Sequence, residues 1–157
     1  MDKTKYKWGI GIEHELHLFH IPDNLEKIEH FIIYDSESAV NRILSNYEKK
    51  NLYLNKSDYN FLKSIPFELS GRLCNGHKVI NKPPINMPEL ITSYPFCSVN
   101  RKRISQAIDD INNYKIKFLN LLKKDEITNI LIKKYGRIDE YPFGMSRYIK
   151  YGKVDIN

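Results

Sequence analysis

The sequence has no run of about 18 apolar residues of the kind that crosses a bilayer. Its start, Met-Asp-Lys-Thr-Lys-Tyr-Lys, lacks the apolar core of a secretory signal. Membrane-spanning and secreted classes are therefore disfavoured, and a soluble, cytoplasmic protein is expected. Cysteine is scarce: Cys74 and Cys97 are the only two. They lie far apart, outside any Cys-x-x-Cys pair or His/Cys cluster at zinc spacing, so both read as free thiols. Internal repeats and low-complexity segments are absent, and so is any basic and aromatic motif of an RNA- or DNA-binding module. The net charge of +6 does not replace such a motif. Residues 1–100 hold 12 basic and 12 acidic side chains, whereas residues 101–157 hold 13 and 7, so the excess lies in the last third. Ile, Lys, Asn and Tyr together make up 66 of 157 residues, the usage that AT-rich coding DNA imposes, and lysine abundance is discounted accordingly. Nucleic acid is not an expected partner.

What is present is one stretch, Gly9 to Phe19, that places two carboxylates two residues apart inside an apolar run. Residues two apart in a strand project from one face. A strand here puts Glu13, Glu15 and His17 on the side of Gly11, with Ile10, Ile12, His14, Leu16 and Leu18 on the other. Neighbouring carboxylates repel unless a cation, a proton or an arginine lies between them. The plain alternative is an amphipathic strand wetted on one side. Against it stand Gly9 and Gly11, since glycine in a strand often marks close approach by a ligand or another backbone.

The chain is long enough for one domain with its own core, spanning 1–157. The first strand ends near Ile21-Pro22-Asp23-Asn24, and a short apolar piece follows at Phe31-Ile32-Ile33-Tyr34. Asp35 or Ser36 caps a helix over about 37–50 whose apolar face carries Val40, Ile43, Leu44 and Tyr47. Residues 52–62 are ambiguous between helix and turn. Two extended segments over 65–80 flank Asn75-Gly76, a strong hairpin signal. After a proline-bearing loop at 81–88, Met87 to Ser93 reads as a strand with Glu89, Ile91 and Ser93 on one side and Leu90 and Thr92 on the other. A long amphipathic helix over 101–123 carries Ile104, Ala107, Ile108, Ile111, Tyr114, Phe118, Leu121 and Leu122. A second, over 125–135, is capped by Asp125 and closed by Gly136. The expected class is α+β, a curved, mainly antiparallel sheet packed by helices.

Gly-Ile-Glu-His-Glu-Leu-His-Leu-Phe, followed later by Met-Pro-Glu-Leu-Ile-Thr leading into a long helix, resembles the glutamate-cysteine ligase-like carboxylate-amine ligases, including the amidoligases. The catalytic domain of that group has the glutamine synthetase fold. The resemblance implies an ATP- and Mg²⁺-dependent ligase that forms an amide from an amino-acid carboxylate and an amine by way of an acyl phosphate. Phosphoryl transfer is chiefly positioning and charge neutralisation, and Mg²⁺ takes oxygen ligands. By this resemblance Glu13, Glu15 and Glu89 hold the metal and serve the nucleotide, with His17 beside them. Arg147, in Pro-Phe-Gly-Met-Ser-Arg-Tyr-Ile, clamps a phosphate or a substrate carboxylate; a surface arginine beside a loop is the competing reading. Glu68, in Phe-Glu-Leu-Ser-Gly, rivals Glu89 for the third ligand place, and Glu89 is preferred for its Pro-Glu-Leu-Ile-Thr context. His14, on the apolar side, is expected to be a hydrogen-bonded core histidine.

Members of that group continue past the point reached at Asn157, into histidine- and arginine-bearing motifs that finish the pockets. The expectation is therefore an N-terminal portion of a ligase domain: a fragment, a half completed by a homo-oligomer or second chain, or a reduced relative that binds without catalysing. A non-catalytic interaction protein and a metal-dependent hydrolase are the alternative functions.

Overall fold

The structure is a computed structural model that describes residues 12–24, 30–51, 53–69, 86–91, 101–140 and 153–155. The chain is α+β, with seven short strands and four helices among the described residues. In order they are β1 (Glu13–Glu15), β2 (Leu18–Ile21), β3 (His30–Ile33), α1 (Ser36–Glu48), α2 (Lys56–Ser64), β4 (Phe67–Leu69), β5 (Asn86–Ile91), α3 (Arg101–Leu122), α4 (Glu126–Tyr135), β6 (Arg137–Glu140) and β7 (Lys153–Asp155).

The helices follow from caps and periodicity. The Asp35 carboxylate accepts from the Ser38 amide at the start of α1, Asn55 does the same for Asp58 in α2, and Asp125 for Thr128 in α4. Asn55 thereby resolves the ambiguous 52–62 segment as a helix from Lys56. Helix α1 ends in a Schellman turn: the Asn51 amide donates to Asn46 O and the Lys50 amide to Tyr47 O, both at 2.9 Å. Lys50 takes the left-handed conformation this requires, with φ 58°. Gly136 closes α4 with φ 108°. A Cβ there would lie 2.3 Å from Ile21 O, so both the backbone angle and the close approach of β2 demand glycine.

Where one curved sheet was expected, the described residues form two. Strands β1, β5 and β4 form a three-stranded antiparallel sheet in the order β1-β5-β4, while β6, β2, β3 and β7 form a four-stranded sheet in that order, with β3 and β7 parallel. The predicted Gly9–Phe19 strand is divided at Leu16 and His17. Leu16 N still donates to Pro88 O of β5, but by Leu18 the chain has joined the second sheet, where Leu18 O accepts from Tyr34 N. The reason is burial. Leu18, Phe19, His20 and Ile21 are all at most 3 % exposed, so β2 is covered on both faces and cannot keep the alternation of β1.

One core joins the layers. Leu16, Leu18 and Leu90 meet Val40 and Ile43 of α1, Leu62 of α2 and Ile111, Phe118, Leu121 and Leu122 of α3. Ile108, expected on the α3 stripe, is exposed because it falls at the stripe's edge, outside the arc running through Ala107, Ile111 and Phe118. No helix among the described residues is long and apolar enough to cross a membrane. Gly9, Gly11, Cys74, Cys97, the hairpin signal at 75–76 and Arg147 with its loop lie outside the described residues.

Candidate functional site: a face of carboxylates

The three-stranded sheet gathers acids by register. Glu15 stands directly opposite Glu89, and Glu13 opposite Ile91. Across the other edge of β5, Glu68 pairs with Met87. Directly opposed residues of an antiparallel pair share a face, and so do residues two apart. Glu13, Glu15, Glu68 and Glu89 therefore share one face of three strands, while Leu90 and Pro88 on the other face are buried.

Within this face, one oxygen from each of Glu15, Glu68 and Glu89 lies within 4.8 Å of the others. Glu68 and Glu89, which the sequence offers as rivals for one place, thus stand together. Glu13 completes the surroundings by hydrogen bonding and by its charge on Glu89 rather than as one of these three. Glu13, Glu15 and Glu68 are exposed, whereas Glu89 is only 7 % exposed. Burial, and then the charges of Glu68, Glu13 and Glu15, push the Glu89 carboxyl above the usual carboxylate range. Such a group favours a proton, or a cation in its place.

His17 lies just beyond β1, with Nε2 3.6 Å from Glu15 Oε2. Burial lowers its pKa, the negative charges of Glu15 and Glu140 opposing the effect without reversing it. Nδ1 is buried and has no hydrogen-bond partner among the described residues. A neutral imidazole beside the acids is the result. His14 is not the core histidine expected. It is partly exposed and bonds Glu140 of β6, whose other oxygen accepts from Lys115 of α3 at 2.6 Å. This chain of contacts ties the acid-bearing sheet to the second sheet.

A further polar network, whose Tyr34 and Arg42 lie too far from Asp125 and Thr128 in sequence for any spacing rule to link them, sits between α1 and α4. Arg42 donates through Nε and Nη2 to the two oxygens of Asp125, at 3.1 and 2.8 Å. Thr128 donates to Asp125 Oδ2 through its amide and its hydroxyl, and its Oγ1 lies 2.5 Å from the Tyr34 hydroxyl. Burial alone would raise the Asp125 carboxyl, but the bonds from Arg42 and Thr128 outweigh it and hold the group below its ordinary range. Only the capping role of Asp125 was legible in the sequence.

Comparison with protein-family models, with curated proteins and with solved structures finds no match for this chain.

Proposed function

We propose that the carboxylate face binds a divalent cation and that the chain acts, by that cation, as an ATP- and Mg²⁺-dependent carboxylate-amine ligase of the glutamate-cysteine ligase-like kind, on part of a glutamine synthetase-like sheet. The observation that carries the reading is the convergence of Glu15, Glu68 and Glu89 from three adjacent strands to within 4.8 Å of one another. Two ligands of one ion are separated by at most twice the metal–oxygen distance, roughly 4.2 Å for Mg²⁺ and 4.6–5.2 Å for Ca²⁺. Separations within 4.8 Å are of that order, so a small closure of the three side chains brings them around one such ion. An all-oxygen, all-carboxylate donor set suits a hard cation rather than zinc or copper.

The chain's own residues divide the work. Glu15, Glu68 and Glu89 hold the ion, and Glu13 adds negative charge beside Glu89. His17, neutral and next to Glu15, orients that carboxylate and is available to accept a proton. Once bound, the ion supplies charge neutralisation for phosphate oxygens. Arg147 is proposed as the clamp for a phosphate or substrate carboxylate.

Calorimetric titration with Mg²⁺ and then with Mg-ATP tests this. Saturable binding of both, lost in Glu15→Ala and in Glu89→Gln while folding is retained, supports the ligase reading. Folded protein that binds neither overturns it in favour of an interaction module, and divalent-dependent ester or peptide cleavage without ATP overturns it in favour of a hydrolase.

A further inference from the structure

We infer that a second site, built from the C-terminal half of α1 and the start of α4, binds a small polar oxyanion, the phosphate or carboxylate of a metabolite-sized molecule. A cleft of about 520 Å³ opens there, and none of its lining residues belongs to the carboxylate face. That volume lies within the range of ordinary small-molecule sites.

Arg42 is the anchor. Its Nε–H and one Nη2–H are committed to Asp125, which leaves the rest of its five N–H donors for a ligand. Because Asp125 is itself fixed by Thr128, the guanidinium is held in place beside the cleft before any ligand arrives. A planar fork so held suits a phosphate or carboxylate.

The charge balance agrees. Arg42, Lys49 and Lys124 line the cleft against Asp125 and Glu126. Asp125 accepts four hydrogen bonds, one at Oδ1 and three at Oδ2, and its charge is paired with that of Arg42. Glu126 remains as the one carboxylate not so engaged, against two lysines, so an anion gains and a cation does not. Neutral donors complete the wall: Asn46 and Asn51 are brought together by the Schellman turn, in which the Asn51 amide bonds Asn46 O. Their carboxamides, with Asn41 and Ser45, are suited to hydroxyl or amide groups on the body of the ligand.

The test uses the full chain and three probes: inorganic phosphate, glycerol 3-phosphate and malate. Each is titrated while the Arg42 guanidinium and the Asn46 and Asn51 carboxamide signals are followed by NMR. Removing Arg42 would strand Asp125 in the fold, so the variant is Lys49→Glu with Lys124→Glu, both at exposed positions. Saturable movement of these signals with at least one probe, weakened about tenfold or more in the double variant, supports the site. Preference for glycerol 3-phosphate or for malate then tells a phosphate ester from a carboxylate. Signals that stay still with all three probes, or that move equally in the double variant, overturn it.

Discussion

At the scale of single residues, the costly placement is Glu89. A carboxylate directly opposite another across an antiparallel pair is unfavourable, and Glu89 faces Glu15 while also feeling Glu68 and Glu13. Without a cation, the raised pKa lets Glu89 keep its proton to higher pH than an ordinary carboxylate, which relieves the repulsion. Since the folded-state pKa is raised, the stability this proton contributes is fully present below the unfolded-state value. It is lost as pH rises through the raised value. Cation-free protein is therefore expected to lose stability on going from acidic to neutral pH at this residue. Glu89→Gln should remove that slope and stabilise the cation-free protein at pH 7 by about 1 kcal/mol, read from urea unfolding; an unchanged slope would refute the assignment. Gly136 is the other residue with little tolerance. Its φ of 108° and the 2.3 Å approach to Ile21 O predict that Gly136→Ala costs about 3 kcal/mol or more, measured as a lowered unfolding midpoint.

At the scale of elements, helices were legible and strands were less so. Helices α1, α3 and α4 announce themselves through Asp35, Asp125, Gly136 and apolar stripes of several turns, signals that are local in sequence. Helix α2 was ambiguous, because Asn55 and Asp58 read as turn residues, whereas Asn55 is its cap. Strands β2 and β6 were not separable from sequence, because β2 is buried on both faces and Arg-Ile-Asp-Glu of β6 is too short to show a period. Two predictions belong here. Lys50 occupies the left-handed position that glycine takes at little cost, so Lys50→Gly should raise stability by about 0.5–1 kcal/mol. Asp125→Ala removes the α4 cap and unpairs Arg42, and should cost about 2–3 kcal/mol at pH 7. The Asp125 pKa is depressed in the fold, so its contribution is present above the unfolded-state value and lost as pH falls through the folded one. The wild-type and variant unfolding curves should therefore converge in acid.

At the scale of the whole molecule, the two small sheets of the described residues share one core that includes Phe118, and α3 packs on β5 and reaches β6 through Lys115, which pairs with Asp139 and Glu140. Phe118 is fully buried, and Phe118→Ala should cost about 3–5 kcal/mol. The acid-bearing motifs, Glu-His-Glu and Pro-Glu-Leu-Ile, were visible as local patterns, and the buried acid at Glu89 could be read from its apolar neighbours. That Glu68 joins rather than replaces Glu89 was not visible. It depends on β5 being the central strand, with β1 and β4 on either side, and register between strands separated by some 20 residues or more leaves no local trace.

The central claim is that one cation replaces the proton on Glu89. The most direct measurement is the NMR titration of the Glu89 side-chain carboxyl carbon with and without Mg²⁺ or Ca²⁺. The account predicts a midpoint above the ordinary carboxylate range in cation-free protein and a clear fall when either ion is added. A midpoint that neither ion moves would contradict it.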